Sequence, residues 1–149
     1  MEWTGCDGVQ EGSGRSLQEL DGVIYYKSPM GVCALSGPMP TQIGEALGEG
    51  QYREAVGGIC GRKYLLNMTD GTRNHTFAWD HDRKLWHREE SERLRLIVSG
   101  GEDAYLLTTG GQLKTVLGTA GFPEEQVTGK VVWTAQTGKL GTGHPDRKY

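Results

Sequence analysis

From residue 22 onward, short runs of β-branched, aromatic and aliphatic residues alternate with clusters of Gly, Asp, Asn and Pro. The runs GVIYYKS (22–28), GVCAL (31–35), KYLLNMT (63–69), HTFAWD (75–80), KLWHRE (84–89), LRLIVSG (94–100), AYLLTT (104–109), QLKTVLG (112–118) and KVVWTAQT (130–137) predict short strands. Between them SPMG (28–31), TDGTRN (69–74), DHDRK (80–84), SGGED (99–103) and TGG (109–111) predict hairpin turns. The alternation in LRLIVSG predicts that Leu94, Leu96 and Val98 share one face, with Arg93, Arg95 and Ile97 on the other. VIYY, KYLL and KVVW are apolar on both faces, as in strands covered on both sides by stacked sheets. Helical signal is weak. PTQIGEALG (40–48) allows a turn or two with Thr41 as N-cap and Gly48 as terminator, and SLQEL (16–20) reads equally as helix turn or strand.

Strands and turns recur with a period. GVIYYKSPMGVCALSG is echoed by GRKYLLNMTDGTRNHTFAWD and by GEDAYLLTTGGQLKTVLG, and alignment on Tyr25, Tyr64 and Tyr105 gives spacings of 39 and 41 residues. Periods of about 40–50 residues with several strands per unit mark β-propeller blades. The expected fold is therefore all-β, a partial β-propeller-like array of about three antiparallel blades joined as meander hairpins. The blade-like units are expected near 22–60, 61–100 and 101–140 within one segment, 1–149; the alternative is a plain antiparallel sandwich. Propellers close with four to eight blades, so three would leave sheet edges and one flank uncovered, surfaces usually satisfied by another chain or by self-association.

Composition sharpens this. Glycine contributes 24 of 149 residues, more than twice the usual share, without the three-residue period of collagen; many turns between short strands account for it. Residues 1–75 hold six basic and nine acidic side chains, and the remainder ten of each. Neither half carries the cationic excess that binding to a phosphate backbone requires, so no nucleic-acid partner is expected. No apolar stretch is long enough for a transmembrane helix, so no membrane partner is expected. The first residues, MEWTGCDGVQ, lack the basic and apolar regions of a secretory leader. Cys6, Cys33 and Cys60 form no CxxC and read as small buried thiols.

Candidate chemistry is sparse. His81 and His87 flank a turn that also holds Asp80 and Asp82, which makes a metal-dependent hydrolase site conceivable. Their spacing is not that of a zinc site, and a solvated turn with a strand-end histidine is the favoured reading. Glu89 and Glu90 are adjacent on a strand and point to opposite faces, so they do not form an acid–base pair. No P-loop, GxGxxG or GxSxG occurs. No cofactor, metal or catalytic residue is expected. The sequons at Asn67 and Asn74 are not expected to meet the transferase. Trp3, Trp79, Trp86 and Trp133 read mainly as core. Trp86 and Trp133, with Asp82 and His87, are the candidate ligand- or partner-contact residues, and exposed rings there would favour a carbohydrate-binding propeller.

GVQ…GS…SLQ (8–18), YYKS…GVCAL (25–35), Y-x-x-AV-x-G-x-x-G-x-KY (52–64), F-x-WD…LWHRE (77–89) and VVWTAQTGKLGTGHPDRKY (131–149) together resemble a family of virion structural proteins of tailed phages and prophages. Phe77, Ala78, Trp79 and Asp80 stand where the family more usually has valine-tyrosine-aspartate. The resemblance implies β-propeller-like domains and a non-enzymatic role as a tail or neck component. It implies a virion location, reached through the cytoplasm of the bacterial host during assembly. Other virion proteins are the expected partners, with homo-oligomerisation a further expectation. Family members are typically several times longer, so this chain is expected to be an excerpt.

Overall fold

A computed structural model of the chain describes residues 8–48, 51–88 and 92–116, and the backbone of 89–90 and 133–135. Among the described residues the fold is all-β, with no α-helix. A 3-10 turn, Gly14–Ser16, precedes β1 (Gln18–Leu20), β2 (Val23–Ser28), β3 (Gly31–Leu35) and β4 (Thr41–Gln42). A second 3-10 turn, Gly44–Leu47, leads to β5 (Arg53–Cys60), β6 (Lys63–Thr69), β7 (Asn74–Asp80) and β8 (Leu85–Glu90). β9 (Leu94–Gly100), β10 (Asp103–Thr108) and β11 (Leu113–Thr115) follow, and β12 (Trp133–Ala135) comes last. They form three antiparallel sheets: β1-β2-β3-β4, then β5-β6-β7-β8 with β12 on the outer edge of β8, then β9-β10-β11.

The hairpins follow the expected turns, but two strands are new and one ambiguity is settled. β5 carries REAVGGIC, whose charges and two glycines hide it from a propensity reading. β1 resolves the ambiguity of SLQEL as strand. At 40–48 the expected turn forms as 3-10 helix at Gly44–Leu47, closed by Gly48 at φ 87°, but its start is corrected: Thr41 pairs with Ala34 in the sheet, and the residue ahead of the turn is Ile43 with no side-chain cap. Thr41 is spent on the ladder, so it has no capping role.

The sheets stack face to face, with the second in the middle. Alternation along β6 and β7 sends Tyr64, Leu66, Met68, Phe77 and Trp79 to one side, where they pack with Tyr25 and Val32 of the first sheet. Tyr25 and Tyr64 stack with ring centroids 5.0 Å apart. Leu65 and Ala78 point to the other side and pack with Leu94, Ile97, Ala104 and Leu106 of the third sheet. The three tyrosines that mark the period thus each occupy the second strand of a sheet, yet Tyr25 and Tyr64 face one another.

At the seam between second and third sheets the backbones come close. A Cβ on Gly58 would lie 2.2 Å from Ile97 Cγ2, so only glycine lets β9 approach β5. The expected face of β9 is corrected here. Leu94 and Ile97 are buried, whereas Leu96 and Val98 stand 38% and 47% exposed. Leu107 pairs with Leu96 but Thr108 pairs with Leu94, a bulge that leaves Arg95 without a cross-strand partner. One extra residue inverts the alternation on either side of it.

Buried polar groups bind the sheets together. Asn67 donates from Nδ2 to Thr76 Oγ1 (3.0 Å) and to the Glu92 carbonyl (3.2 Å), and its Oδ1 accepts from Leu94 N–H (3.1 Å). It is 2% exposed, so its sequon offers no accessible amide in the folded chain. Ser16 accepts from Tyr64 Oη–H through its carbonyl (2.7 Å) and from Lys27 N–H through its Oγ (2.9 Å), joining the first two sheets. Arg15 donates to the Arg95 carbonyl of the third (2.8 Å). Cys33 and Cys60 are buried and free, as expected; Cys6 lies outside the described residues.

Candidate functional site

Trp86 lies on β8, opposite Trp79 in the ladder. Its ring belongs to the core between first and second sheets, tilted on Trp79 at 5.1 Å, and its indole N–H donates to the Ile43 carbonyl at 2.7 Å. His87 points to the opposite face of β8 and is half-buried. Asp82 stands at the β7–β8 turn, exposed, where Arg62 donates to both of its oxygens at 2.6 and 3.0 Å. That guanidinium hydrogen bond holds the Asp82 carboxyl below its ordinary range. The three candidate contact residues with described side chains therefore do not converge: Trp86 is inside, Asp82 is at the turn, and His87 is on the other face. The backbone of Trp133 pairs with Glu89, and its side chain lies outside the described residues.

Two histidines differ from expectation. His81 is buried rather than solvated. Its Nδ1 sits 2.6 Å from Tyr25 Oη and its Nε2 3.6 Å from Asp21, which also reaches Arg62 at 3.3 Å. Three turns, β1–β2, β5–β6 and β7–β8, are thereby clasped at one end of the first two sheets. Burial raises the Tyr25 hydroxyl above its usual value; the Trp79 indole N–H beside it opposes that rise, yet falls outside hydrogen-bond geometry and has no partner. His75 lies on β7 rather than in a loop and is buried. Arg88 has only donors, so at 2.9 Å it fixes Nδ1 as acceptor and Nε2–H as donor to Asp70 at 2.9 Å. The backbone N–H of Arg73, followed by His75, pulls the Asp70 carboxyl well below the usual range. Among the described residues no three His, Cys, Asp or Glu side chains group in a way that could hold a metal ion.

The cavities of note open between the first two sheets, on either side of the Gly44–Leu47 turn. One, about 430 Å³, is floored by Phe77, Trp79 and Trp86 and rimmed by Lys84 and Arg88. The other, about 470 Å³, is lined by Val32, Leu47, Tyr52, Gln42 and the buried Lys27. The turn between them is pinned at Ile43, whose N–H donates to the Val32 carbonyl (2.8 Å). Sequence reasoning missed both clefts, because their walls come from segments distant in the chain. Neither holds a nucleophile–base pair.

Outside the stack, the third sheet turns Leu96, Val98 and Leu113 to solvent, at 38%, 47% and 37% exposure. The middle sheet, by contrast, has neighbours on both faces. No helix among the described residues is long and apolar enough to cross a membrane. Comparison with protein-family models, curated proteins and solved structures finds no match for this chain.

Proposed function

We propose that this chain is a non-enzymatic structural component of a phage or prophage virion, a tail or neck protein that works by protein–protein assembly, and that its three sheets are blades of a partial propeller. The observation that carries the reading is the exposed apolar face of the third sheet, Leu96, Val98 and Leu113. Face-to-face stacking has covered the equivalent surface of the middle sheet, and the same chemistry is left open at the end of the array. Apolar area removed from water contributes about 25 cal/mol per Å², so a neighbouring protein with its own apolar sheet face is the partner this surface fits. The arrangement of the inner strands supports the propeller geometry: β1 and β9 both lie against β5, with the Gly14–Ser16 turn beside them. The family resemblance supplies the virion setting. A carbohydrate-binding role gains little from Trp86, which is 8% exposed and whose indole N–H is taken by the Ile43 carbonyl.

The test is to follow the gene product in purified virions and to repeat it with Leu96→Asp and Val98→Asp combined. The reading expects wild-type protein in the particle and loss of incorporation for the variant, with far-UV circular dichroism unchanged. Finding the wild-type chain only in the soluble fraction of lysed cells contradicts it.

A further inference from the structure

Lys27 is the least conventional residue in the molecule. It lies on β2 two positions after Tyr25 and opposite Val32, so its side chain enters the layer between the first and second sheets instead of reaching water. It is 3% exposed. Its Nζ donates to the Ser28 carbonyl, and among the described residues no carboxylate forms an ion pair with it. A buried ammonium with no counter-charge is costly, and such a group sheds its proton more readily than an exposed one. Burial accordingly pushes the Lys27 amine below its ordinary value, against a smaller opposing pull from Cys33.

Lys27 also lines an opening. The 470 Å³ cleft runs from Lys27 past Met30, Val32 and Leu47 to Tyr52, with Gln42 and Glu45 at its sides. Three features of this cleft select a ligand class. Its lining is mostly apolar. It offers one amine rather than the several converging donors that an anion site uses, and the carboxylate of Glu45 repels anions. A small uncharged electrophile fits where an anion does not.

We propose that Lys27 is a carbonyl-reactive amine and that the cleft beside it takes a small apolar aldehyde, which it binds as a Schiff base. The neutral Nζ lone pair attacks the carbonyl carbon and forms a C–N bond. The carbonyl π pair moves to oxygen, which takes up the proton released from nitrogen. The resulting carbinolamine loses water to give the imine. No oxidant or reductant is consumed, and the neutral imine removes the need to bury a charge. This site is independent of the assembly reading: the amine faces the seam of the first two sheets, away from the exposed third.

Treating the intact protein with butanal and sodium cyanoborohydride at pH 7, followed by peptide mapping, tests the proposal. Of the seven lysines in the chain, Lys27 is expected to take the most label, above exposed lysines such as Lys84. Labelling of exposed lysines such as Lys84 with Lys27 at or below their level overturns it. The pH profile in the wild-type protein is a second readout needing no variant. The titratable group whose charge acts on the amine is Cys33 on β3, and Glu45 on the 3-10 turn and Tyr52 ahead of β5 share the cleft. The proposal expects Lys27 labelling to reach its plateau at lower pH than Lys84, and coincident profiles overturn it. In Lys27→Met, early label summed over the lysine peptides alone should fall by more than the one-seventh expected of equal lysines; a fall of one-seventh or less counts against the proposal.

Discussion

Gly58 has no room for a side chain. Its would-be Cβ meets Ile97 at 2.2 and 2.7 Å, so Gly58→Ala should cost about 1–3 kcal/mol in denaturant unfolding, and less when Ile97 is also alanine. Asn67→Ala strips partners from the Leu94 N–H and the Glu92 carbonyl. It should cost about 2–3 kcal/mol, since buried groups left unmade carry their desolvation. Lys27→Met should raise stability at neutral pH by on the order of 1 kcal/mol. The sign follows from its lowered pKa: the folded state favours the neutral amine, so wild-type stability is lost as pH falls from its ordinary 10.5, and the gain from methionine should shrink above that pH. At alkaline pH three acids act together. Burial raises Tyr25 and Tyr64 from 10.0, and burial with Asp103 pushes the Cys60 thiol up to about 11 from 9.0. Their contribution is complete below those ordinary values and is lost as pH rises through the folded ones. Unfolding midpoints should therefore drop between pH 9 and 11, and Cys60→Ala should flatten that drop.

At the scale of the element, the strands that were legible are those whose pattern is local. GVIYYKSPMGVCAL and KYLLNMTDGTRNHTFAWD declare their turns through Gly, Asp and Asn, and the hairpins form there. β5 was not legible, because Gly57 and Gly58 lower strand propensity for the very reason that makes them necessary. They let the Ser16 carbonyl on one side and the Ile97 side chain on the other come to 2.8 and 2.2 Å from where a Cβ would stand. The burial face of β9 was likewise set by its partner: the bulge opposite Leu107 and Thr108 decides it, and LRLIVSG carries no trace of that bulge. The candidate site was legible only as composition. Trp79 and Trp86 announced themselves as core residues, but the burial of His75, His81 and Lys27 depends on Arg88, Tyr25 and Ser28, which the fold brings to them. The His81 clasp belongs to this scale as well. Tyr25→Phe should loosen the seam of the first two sheets by about 1–3 kcal/mol in unfolding free energy, by leaving a buried imidazole nitrogen unpaired.

Among the described residues the whole molecule is a stack in which the middle sheet is covered on both faces while the third leaves Leu96, Val98 and Leu113 exposed, and the proposed assembly role depends on that order. A stack of this kind should open from its ends, since cooperative units protected on both faces exchange last. Hydrogen exchange followed by mass spectrometry reads this most directly. The account predicts slowest exchange in Arg53–Asp80, intermediate protection in Leu94–Thr108 and rapid exchange at the Gly110–Gly111 turn. Exchange of Leu94–Thr108 as fast as that turn, with the first two sheets still protected, would mean that the third sheet is not packed on the second, and would contradict the account.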